Sequence, residues 1–153
     1  VVFHPTQPLL AAGLYDVFTS PPTKQHYFNH HIYAINSVAF HSNFPFFVTG
    51  SAYKTAILYD LTAVPATIQY HFKDHKHGVL VVAFHPCLLI LASGSRDTSV
   101  ILYDIAMSPP TIKHHLNDHT NWVHCVVFHP SLPFVATCSR DRSTLLYNIS
   151  VLS

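Results

Sequence analysis

Residues 119–148 read HTNWVHCVVFHPSLPFVATCSRDRSTLLYN, and residues 75–104 read HKHGVLVVAFHPCLLILASGSRDTSVILYD. The two stretches are identical at 14 of 30 positions, and no gap is needed to align them. A fixed period of about 20–50 residues is the signature of a repeat architecture. The same spacing extends outward through the chain, because three residue sets recur every 44 positions: Phe40, Phe84 and Phe128; Tyr59, Tyr103 and Tyr147; and His31, His75 and His119.

Each repeat is predicted to hold four short β-strands separated by turn residues. In the unit that begins at His75, the apolar, β-branched stretch Val79–Phe84 is the first strand and Leu89–Ser93 is the second. Ser99–Tyr103 follows a tight turn as the third strand, and Thr111–Leu116 follows a proline-rich loop as the fourth. Prolines stand between strands, where their missing N–H breaks no ladder. Four antiparallel strands in about 44 residues describe one blade of a β-propeller.

This combination of motifs resembles the WD-repeat β-propeller family over essentially the whole chain. The resemblance implies an all-β propeller segment of about three and a half four-stranded blades, with approximate boundaries at 1–30, 31–74, 75–118 and 119–153. The first blade is about seven residues shorter than its siblings after Gly13, so either this blade is degenerate or the given sequence omits residues there. The last blade lacks its fourth strand.

The resemblance also implies a buried hydrogen-bond relay within each blade. In this relay an Asp holds a His imidazole, the imidazole reaches a Ser or Thr hydroxyl, and the hydroxyl meets a ring group that is Trp in the family and Tyr here. Tyr53 replaces the Asp in the second unit, so that relay should lack its carboxylate, and Asp74 and Asp118 stand where the family has Gly. The relay residues are His31 and Thr49; His75, Ser93, Asp97 and Tyr103; and His119, Thr137, Asp141 and Tyr147.

Composition excludes several classes of protein. A hydrophobic fraction of 49% with 13% aromatic residues excludes intrinsic disorder. Eight Lys and Arg residues and a net charge of +1 disfavour binding to nucleic acid, which needs clustered cations. No apolar run reaches the roughly 20 residues of a membrane span. Three cysteines without Cys-x-x-Cys spacing favour a reducing, intracellular location, in the cytoplasm or nucleus.

The blade count leaves three arrangements open. Propellers hold about four to eight blades, and this chain supplies about three and a half. The chain is expected to be part of a larger propeller, or to associate with copies of itself as a homo-oligomer that closes the ring. A lone open arc is the third arrangement, and it would expose strand edges and apolar blade faces.

Metal binding and catalysis are both disfavoured by the sequence. Among fourteen histidines, clusters such as His71 with His75 and His77, or His114 and His115 with His119, lack a suitably spaced Cys or carboxylate to complete a zinc site. All seven acidic residues are Asp, and they fall at turns or strand ends that repeat along the chain. We therefore predict no enzyme activity, no metal and no cofactor.

The remaining candidate for function is a surface that binds proteins or peptides. In the family, partners dock on one rim of the propeller, beside the relay residues. Trp and Arg dominate interface hot spots, and two Arg side chains one blade apart could hold a carboxylate or phosphate. The alternatives are ion pairs with neighbouring Asp residues, and packing of the only Trp against the adjacent blade. Carried over by position, the rim residues are Asn36, Arg96, Trp122, His124 and Arg140.

These observations predict a non-catalytic scaffold that presents its rim to protein or peptide partners in a multi-subunit assembly. One alternative is a structural subunit buried in a complex, with no single peptide pocket. A ubiquitin-ligase substrate adaptor is a third reading, based on the Trp-Asp-x-Arg signature of some family members. The matching stretch Tyr103-Asp104-Ile105-Ala106 lacks the Arg, as do its two siblings, so this reading loses support.

Overall fold

The chain consists of short β-strands joined by turns and loops wherever the computed structural model describes it, at residues 9–10, 15–16, 24 and 26–150. No helix in these ranges is long and apolar enough to cross a membrane. In chain order the strands are β1 (Leu9–Leu10), β2 (Tyr15–Asp16), β3 (Ile35–Phe40), β4 (Phe46–Ser51), β5 (Ala56–Asp60), β6 (Thr67–Phe72), β7 (Val79–Phe84), β8 (Ile90–Ser95), β9 (Val100–Asp104), β10 (Thr111–Leu116), β11 (Val123–Phe128), β12 (Phe134–Ser139) and β13 (Thr144–Asn148).

Within each sheet, every strand pairs antiparallel with the next strand along the chain. Strands β3 to β6 form one four-stranded sheet, β7 to β10 form a second, and β11 to β13 form a three-stranded sheet. The predicted all-β fold of propeller blades is therefore confirmed. Strands β7 and β10 have their predicted bounds, whereas β8 and β9 end one or two residues later than the turn signals indicated.

The shortened first repeat forms a small hairpin. Strands β1 and β2 pair Leu9 with Asp16 and Leu10 with Tyr15. This register matches that of β8 and β9, where Ile90 pairs with Asp104. Both strands therefore form, at two residues each, and most of the predicted blade at 1–30 lies outside the described residues.

The hydrophobic core lies between successive sheets. Strand β3 packs beside β7, and β7 packs beside β11. The middle sheet is covered on both faces, so every residue of β8 is buried, although this strand carries two serines and a glycine. Strand β13 instead alternates between exposed and half-buried residues, and Leu146 is 67% exposed. The buried apolar residues between the first two full sheets are Val48, Ala56, Leu58, Phe72, Val79, Val82, Leu91, Ile101, Tyr103 and Ile105.

A glycine in the second strand of a blade admits the first strand of the next blade. A Cβ atom at Gly94 would lie 2.9 Å from Cγ1 of Val123 in β11 and 2.8 Å from Cγ1 of Val81 in β7. Gly50 has the same relation to Val79, at 2.8 Å. Such distances are too short for any side chain, so glycine sets how closely two neighbouring sheets approach. Cys138 stands at the equivalent position in β12.

Gly94→Ala should therefore destabilise the fold, because its methyl group would overpack the contact between two buried sheets. We expect the free energy of unfolding to fall by about 1–3 kcal/mol, measured by chemical denaturation. Cys138→Ala is the matched control, since it shortens the side chain at the equivalent position. Equal stability of Gly94→Ala and the wild-type chain would show that the sheets are not in this contact.

The histidine that follows each first strand caps the next turn. These residues are His41, His85 and His129, and each Nδ1 accepts hydrogen bonds from the backbone N–H groups two and three residues further on, at 2.9 to 3.4 Å. The Nε2–H of His41 also donates to the carbonyl of Leu88 in the next blade, at 3.0 Å. An imidazole that accepts at Nδ1 must be neutral there. The histidine that follows each repeated Phe therefore caps the turn between the first and second strands of its blade.

The buried His41 should make stability depend on pH. Burial lowers the pKa of His41 below its ordinary value of 6.5, so the unfolded chain takes up a proton at a higher pH than the folded chain does. The free energy of unfolding should then decrease as the pH falls from about 7 to about 5. His41→Asn removes the titrating group and should show a shallower pH dependence in denaturation experiments. Parallel pH profiles of the two proteins would contradict this assignment.

Candidate functional site: the relay and the loop rim

In two blades, hydrogen bonds between the Asp, His and hydroxyl members of a relay join the loop before the first strand to the turn after the second strand. In the second full sheet, Asp97 Oδ2 lies 2.9 Å from His75 Nδ1, and His75 Nε2 lies 2.7 Å from Ser93 Oγ. In the last sheet, His119 makes the same contacts with Asp141 at 2.9 Å and with Thr137 at 2.8 Å. Both imidazoles are buried. The structure thus brings together the His, hydroxyl and Asp members of both predicted relays.

Asp97 is the most connected member of its relay. Besides His75, its carboxylate accepts hydrogen bonds from the backbone N–H of Lys76, at 2.7 Å, and from the N–H and hydroxyl of Ser99. Burial alone would raise the pKa of Asp97, but the hydrogen bonds from His75 and Ser99 outweigh burial and hold it well below its usual range. The charged carboxylate of Asp97 therefore connects the loop at Lys76 to the turn before β9.

The second repeat forms a relay without a carboxylate. His31 Nε2 lies 2.7 Å from Thr49 Oγ1, and Thr55 Oγ1 lies 3.3 Å from His31 Nδ1, on the side where the other relays have Asp. Burial, followed by the nearby His71, lowers the pKa of His31. The side chain of Tyr53 is 49% exposed and takes no part.

The loop rim is the end of the sheets at which the relay loops and the turns after β4, β8 and β12 meet. Trp122 lies there, half-buried, between elements of two blades. The guanidinium carbon of Arg96 is 4.8 Å from the centroid of the Trp122 ring, and that of Arg140 is 5.0 Å from it. Arg96 belongs to the preceding blade and Arg140 to the blade of Trp122. Both arginines are exposed.

The other two rim residues are placed differently. His124 is exposed, and its ring is edge-on to Trp122 with 6.2 Å between centroids. Asn36 also lies at the surface, but its amide donates a hydrogen bond of 2.8 Å to the carbonyl of Val79. Asn36 therefore links two blades, whereas His124 extends the cluster around Trp122.

Comparison with protein families agrees with this geometry. The WD40 family, described as "WD domain, G-beta repeat", matches three times, at residues 22–60, 66–104 and 110–148. The chain belongs to the WD40 family. A search of curated proteins finds no match. WD40 repeats in general serve as protein-interaction scaffolds and are generally non-catalytic.

The tyrosines that replace the WD40 tryptophan do not complete the relays as the resemblance implied. The hydroxyl of Tyr103 is buried and has no hydrogen-bond partner among the described residues. The hydroxyl of Tyr147 donates to Asp118 Oδ2 at 3.0 Å, and that of Tyr59 lies 3.3 Å from His30 Nδ1. Burial, followed by Asp118, raises the pKa of Tyr147 to about 12.

The sequence contains a signal for these tyrosine contacts, because two departures from the family pattern occur together in each repeat. In this WD40 chain the residue before each relay His is polar, at His30, Asp74 and Asp118, where the family has Gly. Two of these residues face the tyrosine hydroxyl of their own repeat. The replacement of Trp by Tyr and the replacement of Gly by a polar residue therefore belong to one structural change.

An aromatic pair on the loop rim was missed by sequence reasoning. The rings of Tyr33 and Tyr53 stack with 4.9 Å between centroids and 13° between planes, and both side chains are about half exposed. In the sequence, Tyr53 is identified only as the residue that replaces the relay Asp of the second repeat. The signal available in the sequence was the coincidence of Tyr33 and Tyr53 at loop and turn positions of one repeat.

One cavity lies at the opposite end of the sheets, and the ionisable groups in its walls make structural contacts. Its volume is about 390 Å³, and its walls include His85, Asp104 and Lys113. Asp104 and Lys113 form an ion pair at 3.4 Å, and His85 caps its turn. Across the described ranges, no three His, Cys, Asp or Glu side chains are grouped as a metal ion requires.

Asp97→Ala should destabilise this WD40 chain, because it removes four hydrogen bonds to a charged group and leaves His75 buried without its acceptor. We expect the free energy of unfolding to fall by about 1–3 kcal/mol in denaturation experiments. Asp104→Ala is the control, since it removes a surface ion pair of about 0–1 kcal/mol. If both variants lose the same amount, the relay contributes no more than an ordinary surface contact.

Proposed function

We propose that this chain is a non-catalytic scaffold that presents its loop rim to protein partners in a multi-subunit assembly. The cluster of Trp122 with Arg96 and Arg140 is the observation that supports this proposal. Trp and Arg are the residue types that most often supply binding energy at protein interfaces. Here one half-buried Trp and two exposed Arg side chains occupy the end of the sheets at which loops and turns meet.

The rim is also held rigidly, which favours binding. The relay through His119 and Asp141 joins the loop before Trp122 to the turn that carries Arg140. The relay through His75 and Asp97 holds the turn that carries Arg96 in the same way. Because these loops are ordered before a partner arrives, less conformational entropy is lost on association.

The relay histidines His75 and His119 near the rim are occupied by structural contacts, which supports a role without chemistry. A nucleophile or general base needs a free lone pair within reach of a substrate. Both nitrogens of His75 and of His119 are hydrogen-bonded within the relays. Burial, followed by the facing Cys138, raises the pKa of the Cys125 thiol, so little reactive thiolate is present.

An intracellular location is part of the same proposal. Cys87, Cys125 and Cys138 are free thiols. Cys125 and Cys138 are directly opposite each other on β11 and β12 and are not bonded to one another. Opposed thiols persist in compartments that keep cysteines reduced.

A second candidate function is that of a structural subunit buried in a complex. The low charge of the chain favours it, since only 10% of the residues are charged and a surface this poor in charge is suited to association with neighbouring subunits. A sheet face such as the one that carries Leu146, which is 67% exposed, is the surface such neighbours would cover. In this case the sheet face, and not the loop rim, would carry the main contact.

The proposal is tested by affinity purification from cells with quantitative mass spectrometry of the associated proteins. We expect the double variant Trp122→Ala/Arg140→Gln to lose at least one associated protein relative to the wild-type chain. Leu132→Ala, which changes an exposed residue at the opposite end of the sheets, should retain all of them. Circular dichroism melts should show that both variants are folded.

The alternative predicts a different pattern in the same experiment. If the rim variant keeps every partner while Leu146→Asp loses them, the sheet face is the interface and the rim proposal is wrong. If the rim variant and Leu132→Ala lose the same partners, the rim has no specific role.

A further inference from the structure

We propose that Arg96, Trp122 and Arg140 bind an extended acidic segment of a partner protein, with carboxylate side chains at alternate positions. This inference rests on the proposed function and names the chemical class of partner that the rim recognises. It follows from three properties of the cluster: unpaired cations, a shared aromatic platform and a fixed spacing.

The two guanidinium groups lack an anionic partner of their own. Throughout residues 26–150 neither Arg96 nor Arg140 takes part in an ion pair. The nearest carboxylates in sequence are Asp97 and Asp141, and each is already bound by a relay imidazole and by backbone N–H groups. The expected ion pairs with these Asp residues are therefore absent from the structure, and both cations are available to an external anion.

Stacking on one indole prepares the two cations for binding. A guanidinium group over an aromatic ring is held by attraction to the ring face. Its N–H groups lie in the plane of the guanidinium group and remain free to bind an anion. An Arg side chain loses rotamer freedom when it is fixed, and the contact with Trp122 has already removed part of that freedom before a ligand binds. Such a fork binds a carboxylate through two parallel hydrogen bonds.

The spacing selects an extended segment with two carboxylates. Both guanidinium carbons lie within 5.0 Å of the same ring centroid, so they are at most about 10 Å apart. Side chains at positions i and i+2 of an extended chain point to the same side, about 7 Å apart at Cα. Two acidic side chains at such positions can each reach one guanidinium. Adjacent acidic residues point to opposite sides of an extended chain, so such a pair can contact only one of the two guanidinium groups.

The surroundings of the cluster favour an acidic partner over a basic one. Arg142 lies in the same turn as Arg140 and is exposed, and Lys76 is exposed beside the relay of the preceding blade. An acidic segment would be attracted by these charges, and its binding should weaken as salt screens them.

The test measures binding of a fluorescein-labelled peptide, Ser-Thr-Glu-Thr-Glu-Thr-Ser with blocked ends, to the full chain by fluorescence anisotropy. We expect this peptide to bind, and its Gln-Thr-Gln counterpart to bind at least about ten-fold more weakly, because each charge-assisted contact is lost. The peptide Ser-Thr-Thr-Glu-Glu-Thr-Ser has the same charge with adjacent acids and should also bind more weakly.

Variants of the chain separate a specific site from general attraction. Arg96→Gln and Arg140→Gln should each weaken binding at least about ten-fold, because a bidentate contact is lost. Arg142→Gln is the matched control, with the same change of charge in the same turn but no contact with Trp122, and we expect an effect of about two-fold or less. Equal losses in all three variants, or equal binding of the Gln peptide, would overturn the proposal.

The outcome is distinguishable from failure of the proposed function. If the acidic peptides do not bind but the rim variant still loses a partner in cells, the scaffold role stands and the acidic class is wrong. If the rim variant loses no partner and the peptides do not bind, both proposals fail.

Discussion

The hydrogen bond between a relay imidazole and a hydroxyl of the second strand recurs in all three larger sheets, and it is the contact on which the rest of this structure depends. In two of these sheets a charged carboxylate also holds the imidazole. In the second full blade, Asp97 joins His75 to the turn before β9, and His75 joins that turn to the hydroxyl of Ser93 inside the sheet. Loop, turn and strand are thereby held in one arrangement. Because short antiparallel strands are only marginally stable alone, this connection allows a sheet of six-residue strands to keep a defined edge and a defined loop end.

The same constraint places the candidate binding residues. Arg96 directly precedes Asp97, and Arg140 directly precedes Asp141, so each arginine leaves the sheet at a point that a relay has fixed. Trp122 comes from the loop before β11 and lies between the two turns because the blades pack closely. Gly94 permits that packing, since it leaves room for Val123 of the next blade. The aromatic and cationic cluster is therefore a product of two blades and belongs to neither alone.

Much of the fold could be predicted from the sequence, because its signals are local and repeated. The 44-residue period predicts the blades, together with the alternation of apolar strands and turn residues and the repeated Ser-Arg-Asp tripeptide. The predicted strands of the second full blade agree with the structure to within two residues. The relay assignments came from resemblance, and the structure brings together their His, hydroxyl and Asp members. The tyrosine member was less predictable, because the reach of a phenol depends on ring position, and Tyr103 and Tyr147 end in different surroundings.

By itself, the sequence determined that this protein is a repeat of antiparallel blades, since residue type and spacing along the chain carry that information, and its resemblance to the WD-repeat family implied the His–Asp relays. Only the tertiary structure decided what lies side by side across blades. It placed Arg96 and Arg140 on one indole ring, stacked Tyr33 on Tyr53, and directed the hydroxyl of Tyr147 to Asp118. These contacts depend on the distance and rotation between packed sheets, which side-chain volumes at positions such as Gly94 set in three dimensions and which no local pattern records.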